Sequence, residues 1–517
     1  MPPAGRPGST IHGMTIRVAL LASECEPWAK TGGLADVVDA LARALGRLPE
    51  AGTDLHAPVD VFLPRYRTVP VPDAAVTEPP LDVADPRTGE PLRARIVDVI
   101  ADGYRLRLVD VPAAFDRDGF YDHPDDAWRF AVFCRVALAA LRRDGRPLDL
   151  LHVHDWHTGP ALLERARGEA AADPFFAGMA VTVTLHNLAY HGWTPVEDLD
   201  QLGLAPGDPL AGPNPDGIDL LLTAIEGAEI ANTVAPNFAR EALTPAFGMG
   251  LDGALRAKGD RFTGILNGID PEVWNPATDA VLATPYSRDD TAGKAACRVD
   301  LLERLGFDPA DDGVVLGMIG RMDPQKGFDL LADGAPELLA AGARIVVQGS
   351  GHASLADPFR ALAAANPGRI ALIERFDRDM ARRIYAGADL FLMPSRFEPC
   401  GQGQMIAMRY GTPPVVRRTG GLADSVVDVD EQPGEGTGFV FDEATPSALV
   451  AAVGRATACR RDPDRWAALV QRGMAVDFDW VSGSAPRYLE MYRRAISIRR
   501  GPRRRKPPGV GTRQGRG

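Results

Sequence analysis

Short apolar runs of four to six residues alternate along this chain with longer segments whose apolar residues recur at helical spacing. The runs at 16–21, 150–154 and 180–185 predict buried strands, the latter two with polar residues at their C-terminal ends. Residues 128–142 place Phe130, Phe133, Cys134, Ala137, Leu138 and Leu141 on one stripe, which predicts an amphipathic helix; 36–45 predicts another, entered through a glycine-rich turn. After about residue 265 the alternation restarts. Strands are expected at 314–319, 344–348, 370–373, 389–393 and 414–416, and helices at 328–341, 378–387 and 401–410. The segment 66–125 carries many Pro and acidic residues with weak periodicity, and predicts a β-rich excursion and a loop. Alternation of strand and helix builds parallel sheets with crossover helices. The expected fold is therefore α/β, with two Rossmann-like, doubly wound parallel-sheet domains facing each other across a cleft. Ligands of such sheets bind just outside the strand C-termini, so the chemistry is sought there.

Composition narrows the class. A chain of 517 residues holds two to four domains at roughly 150 residues each. At 45% hydrophobic and 24% charged it is an ordinary globular protein, which excludes disordered and collagenous chains. No apolar stretch approaches the roughly 20 residues of a membrane span, so no membrane partner is expected. Lys and Arg total 57 against 69 Asp and Glu, and the net charge of −12 argues against nucleic acid as a partner of the body. The segment 497–517 is different: it is basic, without an acidic residue, and rich in Gly and Pro. A solvated, disordered tail is expected there, with a polyanion-binding arm as the alternative. The five cysteines (Cys25, Cys134, Cys297, Cys400 and Cys459) form no CxxC pair, which argues against a disulfide framework or zinc site and for a reducing, cytoplasmic location. The apolar run at 18–22 is too short for a signal segment, and Met14 is an alternative start, with 1–13 an extension.

Six strings after strands carry candidate chemistry. Lys30-Thr31-Gly32-Gly33-Leu34-Ala35-Asp36 follows the first strand; its glycine pair lets a ligand approach the backbone, the next helix offers free N–H groups, and Lys30 adds a cation. An ordinary structural turn is the alternative. His152-Val153-His154-Asp155-Trp156-His157 ends a strand and admits either a metal site or hydrogen-bonded cleft and core histidines. His186-Asn187, followed by Tyr190-His191-Gly192, offers an imidazole and an amide suited to sugar hydroxyls, or a loop cap. Gly320-Arg321-Met322-Asp323-Pro324-Gln325-Lys326-Gly327 joins strand to helix, and two cations at a positive helix end suit a diphosphate. Pro394 to Gln404 joins another strand to a helix and holds Glu398 beside Pro399; Arg417-Arg418-Thr419-Gly420-Gly421 forms a second glycine-rich turn.

Taken together, KTGGLADV (30–37), HVHDWHT (152–158), TLHNLAYHG (184–192), GILNGID (264–270), GRMDPQKG (320–327), PSRFEPCG (394–401) and VVRRTGGLADSV (415–426) resemble the bacterial glycogen synthase and plant starch synthase family. The likeness runs in order from about residue 15 to 495. It implies a retaining glycosyltransferase of the GT-B fold that moves glucose from ADP-glucose to the non-reducing end of an α-1,4-glucan, with no metal and no cofactor. It implies domains at 14–265 (acceptor side) and 266–480 (nucleotide-sugar side), and a helix at 481–496 crossing back to the first. By the same resemblance, Lys30 contacts the donor phosphates, Asp36 supports the Gly33 loop and the sugar, and His186 approaches the glucose 6-hydroxyl. Asn267 contacts sugar at the domain junction, Arg321 and Lys326 hold the diphosphate, and Glu398 accepts from the glucose 3- and 4-hydroxyls. Cys400, Gly401, Gly420 and Gly421 line sugar and phosphate through their backbone, and Phe376 stands where the family often stacks a Tyr on adenine.

The chain departs from the family pattern at three points. Gly403 replaces a Thr whose hydroxyl meets phosphate, Phe376 lacks the Tyr hydroxyl, and Ile406 stands where related nucleotide-sugar enzymes place a ribose-binding Glu. Glucan phosphorylase shares the two-lobed plan, but no string here suggests its pyridoxal-phosphate lysine. A non-catalytic glucan-binding scaffold predicts broken donor motifs, whereas Lys30, Arg321, Lys326 and Glu398 are all present.

Overall fold

The computed structural model describes residues 15–167 and 171–501. The N-terminal extension, and the tail beyond residue 501, lie outside the described residues. Eighteen strands follow in chain order: β1 (Val18–Leu21), β2 (Val59–Pro64), β3 (Val76–Thr77), β4 (Leu81–Ala84), β5 (Pro91–Ile100), β6 (Tyr104–Asp110), β7 (Leu150–His154), β8 (Ala180–Leu185), β9 (Trp193–Pro195), β10 (Gly217–Asp219), β11 (Ile230–Thr233), β12 (Phe262–Gly264), β13 (Val315–Ile319), β14 (Arg344–Gln348), β15 (Ile370–Ile373), β16 (Leu390–Met393), β17 (Pro414–Arg417) and β18 (Phe439–Phe441).

The first sheet runs β12-β11-β8-β7-β1-β2-β6-β5-β3, with β4 paired to β5. From β12 to β6 every pairing is parallel; β3, β4 and β5 join antiparallel at the far edge. That edge is the expected β-rich excursion of 66–125. The second sheet, β15-β14-β13-β16-β17-β18, is parallel throughout. Its order is that of the doubly wound dinucleotide fold. The central strands read as unbroken apolar runs because helices cover both faces: β1, β2, β7, β8 and β16 are buried at every position.

In each sheet the chain reverses its winding at one point, between β1 and β7 in the first and between β13 and β16 in the second. A crevice opens at such a reversal. The segments that leave these four strands are those that carry KTGG, HDWH, GRMDPQK and PSRFEPCG. The expected helices appear at Gly33–Arg47, Asp126–Arg143, Phe328–Ala340, Arg378–Gly387 and Gly403–Arg409.

The last helix, Ala485–Arg500, packs Tyr488, Leu489, Tyr492, Ala495 and Ile496 into the core of the first lobe with β1 and β7. It runs four residues into the stretch expected as a basic tail. Arg499 reaches Glu229 at 3.5 Å and Arg500 pairs with Asp149, so this part of the basic run is held by first-lobe carboxylates.

Candidate functional site

A cavity of about 480 Å³ lies between the lobes. Its first-lobe wall includes Glu24, Gly32, Gly33, Asp155, His157 and His186; its second-lobe wall includes Arg321, Lys326, Glu398, Cys400 and Gly401, with Asn267 at the junction. Strand ends from both sheets therefore face one space. A second cavity, of about 450 Å³, sits where the chain crosses between lobes, around Ile269, Arg409 and Phe478, and holds none of these groups.

On the second-lobe wall, Asp323 accepts from the Lys326 backbone N–H at 3.2 Å, which fixes the turn after β13. The turn aims Lys326 Nζ at Glu398 Oε2, 2.6 Å away. Ser395 Oγ donates to the same oxygen at 3.0 Å. Glu398 is buried, so these two donors hold it rigidly. Arg321 stands more than half exposed, and its one ion-pair partner among the described residues is Asp323 at 3.5 Å. It is a cation able to turn toward an anionic ligand. Asn267 is buried, and its Oδ1 finds no partner among the described residues. A buried polar atom without a partner costs free energy, and Asn267 lines the cavity, where such an atom is open to a ligand's donor.

On the first-lobe wall, Gly32 and Gly33 have open space where a Cβ would stand, so a ligand can approach their backbone. Glu24 holds this loop. Its carboxylate accepts from Thr31 N–H (2.5 Å), Thr31 Oγ1 (2.6 Å), Gly32 N–H (3.1 Å) and Tyr121 Oη (2.7 Å). Lys30 lies beside the cavity, where its ammonium donates to Asp36 at 2.6 Å and meets Glu26 at 3.1 Å. Burial raises Asp36, and the Lys30 charge partly offsets that.

His186 N–H donates to Asp155 Oδ1 at 2.7 Å. Asp155 takes a left-handed backbone, φ 54°, to present that carboxylate, and burial pushes it up to about 7. The His186 ring meets His154 at 3.0 Å, and burial lowers it to about 3, so it is neutral. His152 is bound to Tyr492 and Thr184, and His157 packs between Trp156 and Tyr121. The histidines of this string are core and cleft groups. Among the described residues no cluster of three or more His, Cys, Asp or Glu is placed to hold a metal ion.

The lobes also grip each other beside the cleft. The helix Pro236–Ala242 of the first lobe faces the helix Gly420–Ser425 of the second. Glu241 accepts from Gly420 N–H at 3.0 Å, and Asp424 accepts from Asn237 N–H at 2.6 Å, so each helix caps the other. Gly420 is packed tightly: with φ +45°, a Cβ there would stand 1.8 Å from the Glu398 carbonyl oxygen. Gly421 donates its N–H to that same carbonyl at 3.1 Å. This turn thus braces Glu398 from behind and does not line the cavity.

A profile of the starch synthase catalytic domain matches residues 17–257, and one of the group 1 glycosyl transferases matches 313–458. The glycogen synthase of Syntrophotalea carbinolica is 44% identical over 497 residues, which covers 93% of this chain and 99% of that protein. The chain belongs to the glycogen synthase family. Glycogen synthase 2 of Geobacter sulfurreducens is 40% identical, over 94% of this chain and all of its own. The catalytic domain of starch synthase IV from Arabidopsis thaliana, described as bound to ADP and acarbose, superposes with a TM-score of 0.84 at 32% identity, over 93% of this chain and 100% of that one. A sucrose-phosphate synthase from Thermosynechococcus elongatus, 18% identical with a TM-score of 0.58 over 93% of this chain and 99% of its own, shares the fold. The protein is a glycosyltransferase of the GT-B fold, a glycogen synthase by family.

Its departures from the family pattern have local physical settings. A Cβ at Gly403 would come 2.9 Å from the Phe391 ring, so this glycine fits a helix packed closely on β16. Ile406 is buried in an apolar cluster with Met405 and Tyr410. Phe376 is 71% exposed and does not line the cavity. Sequence reasoning passed over Glu24, Tyr121, Glu241 and Asp424. Glu24 had a usable signal, an acid directly after the first strand; the other three become neighbours only through folding.

Proposed function

We propose that this glycogen synthase family enzyme lengthens an α-1,4-glucan with glucose taken from ADP-glucose, retaining configuration at the anomeric carbon and using neither metal nor cofactor. One observation carries this reading: the Lys326–Glu398 pair, with Arg321 beside it, faces His186 and the open Gly32–Gly33 backbone across a single cavity. In this assignment Lys326 and Arg321 receive the diphosphate, Glu398 accepts from the glucose 3- and 4-hydroxyls, and Asn267 and His186 complete the sugar's polar contacts. Lys30 swings from Asp36 to the phosphates on binding. Cys400 and Gly401 line the sugar, and Gly420 and Gly421 act by bracing Glu398. Phe376 lies under adenine. That the Arabidopsis starch synthase is described with ADP bound supports the adenine nucleotide.

The step breaks the bond between the anomeric carbon and the diphosphate oxygen and forms one from that carbon to the acceptor 4-oxygen on the same face. The acceptor's proton passes to the departing phosphate. Charge grows on the leaving diphosphate, and in this reading Lys326 and Arg321 stabilise it. Closing the lobes removes water and orients the acceptor. The units 14–265, 266–480 and 481–496 serve as acceptor side, nucleotide-sugar side and returning helix. Five free, buried cysteines support a cytoplasmic setting, and no helix among the described residues is long and apolar enough to cross a membrane.

Incubation with glycogen and either ADP-glucose or UDP-glucose, with measurement of released nucleoside diphosphate, tests the reading. ADP release and a new α-linkage are expected. No release from ADP-glucose, or a β-linkage, would overturn it.

A further inference from the structure

Behind His186 a chain of buried polar side chains fixes which ring atoms carry protons. Asn232 Nδ2 faces the Thr233 carbonyl at 3.4 Å, an acceptor only, so Asn232 Oδ1 is the atom turned to Thr184. Thr184 Oγ1 donates to that oxygen at 2.8 Å and has no second proton to give. At 2.7 Å from Thr184 Oγ1, His152 Nε2 must therefore be the donor. A neutral His152 protonated on Nε2 leaves Nδ1 bare, and Nδ1 accepts from Tyr492 Oη at 2.8 Å. The Tyr488 hydroxyl, 3.4 Å from Asn232 Nδ2, adds an acceptor for that amide and leaves these assignments unchanged. Both ring nitrogens of His152 are thus taken, and the His154 ring lies tilted against it with centroids 4.1 Å apart.

His154 has one polar partner for its ring, His186 Nε2, 3.0 Å from its Nδ1. Its Nε2 finds none among the described residues. A proton on Nε2 would leave a buried N–H without an acceptor, whereas a proton on Nδ1 leaves only a bare lone pair; orphaned N–H groups are the rarer case in folded proteins. With its proton on Nδ1, His154 donates to His186, and the His186 proton is forced to Nδ1, the nitrogen that His154 leaves free on a residue lining the cavity.

We infer that His154 is a positioning residue: by donating Nδ1–H to His186 Nε2, it holds His186 in the Nδ1–H tautomer, so that the imidazole presents a hydrogen-bond donor to the substrate. The inference rests on the proposed contact of His186 with the donor sugar, and adds which nitrogen makes it and what fixes that nitrogen. A donor at this place holds the sugar hydroxyl oxygen and sets its polarity toward a departing anion, whereas a bare nitrogen there would accept the hydroxyl proton and leave the oxygen without that donor. Burial lowers both imidazoles, so neither needs a charge to play its part.

Nitrogen-15 spectra of the full chain, labelled at histidine and recorded at pH 7.5, read the tautomer directly, with His186 assigned by the signals lost in His186→Asn. The expected result is a protonated Nδ1 and a bare Nε2 on His186; protonated Nε2, or both protonated, would overturn the inference. This reading needs no activity, so it stands or falls separately from the proposed reaction. His154→Leu should release the His186 proton to Nε2, and His154→Asn, whose amide lies where Nδ1 was, should retain it on Nδ1. Turnover with ADP-glucose and glycogen should fall on the order of 10- to 100-fold in His154→Leu, the range for loss of a partner behind a reacting group. The donor KM should move by less than about threefold, as for an interaction made in the transition state. His154→Asn should recover most of the rate. An unchanged tautomer in His154→Leu, or equal losses in the two variants, would overturn the positioning role. The wild-type spectrum decides the matter even where a variant does not fold.

Discussion

Lys326→Ala tests the charge arrangement of the cleft most directly. Nζ lies 2.6 Å from Glu398 Oε2, with 20% of the lysine side chain and 5% of the glutamate side chain exposed. At an effective dielectric of 20, two charges this close attract by roughly 6 kcal/mol. Desolvation of the pair offsets most of that, and partial exposure of the lysine screens the rest, leaving a net coupling of about 2 kcal/mol. For a lobe of this size, that loss lowers the melting temperature by about 4–8 °C. It does not unfold the enzyme at 25 °C, so activity can be read separately. Removing one preorganised cation from the leaving diphosphate should cut turnover on the order of 10²–10³-fold, by comparison with loss of one oxyanion donor. The assay is ADP release from ADP-glucose with glycogen in excess, beside thermal unfolding of Lys326→Ala, Glu398→Gln and the double variant. The melting shifts should be non-additive, since both single variants break one pair. Turnover within about threefold of the parent, set against the loss expected for a transition-state contact, would refute the diphosphate role. Additive melting shifts would refute the pairing.

Five further outcomes are expected. Arg321→Ala should lose about 10²–10³-fold in turnover with little effect on melting, because the residue is exposed and barely paired; turnover of the parent should persist in EDTA, and metal dependence would contradict the cation-based account. Gly420→Ala should destabilise by about 2–4 kcal/mol and depress turnover, since its Cβ would stand 1.8 Å from the Glu398 carbonyl; unfolding and rate measurements matching the parent would refute the bracing. Glu241→Gln should lower stability by about 1 kcal/mol through the weakened cap across the lobes, seen as a lower melting temperature; an unmoved melting temperature would count against the clasp. Acid should destabilise the fold. Burial lowers His152, His157 and His186 to about 3 and His154 well below 6.5, so the stability these groups contribute is present above pH 6.5 and is lost as pH falls toward 3. Asp155, raised to about 7, opposes this, its contribution being lost as pH rises from about 4 through 7. Each group contributes at most about 1.4 kcal/mol per pH unit. Four histidines outweigh one aspartate, so urea unfolding should show lower stability at pH 5 than at pH 7, and an equal or higher value at pH 5 would refute the assignment.

Much of this was legible in the sequence where the physics is local. Strands buried on both faces read as unbroken apolar runs, which is why β7, β8, β14 and β15 lie where the pattern puts them. The rule that ligands gather beyond strand C-termini pointed to Arg321, Lys326, Glu398 and His186, which the fold brings to one cavity. Lys30 and Asp36 were found as a string, but their mutual pairing was not. Contacts between distant residues left no periodic trace. Tyr492 meets His152 across 340 positions, and Glu241 meets Gly420 across 179. The short strands β11, β12 and β18 escaped because three or four residues carry too little pattern to stand out. Phe376 rests on family resemblance alone: it is exposed and stands outside the cavity lining.

The returning helix Ala485–Arg500 has a consequence for how the molecule is made. Synthesis delivers residues from the N-terminus onward, and domains generally fold as they emerge. Here the opening half of the chain leaves the ribosome without the segment that supplies Tyr488 and Tyr492 to its interior. Its histidine pair must wait, uncovered along one flank, until the whole second lobe has been made. Nascent chains stalled before residue 485 should therefore leave the apolar floor under Tyr488 and Tyr492 uncovered, and the first lobe completes its interior only once this helix has been made.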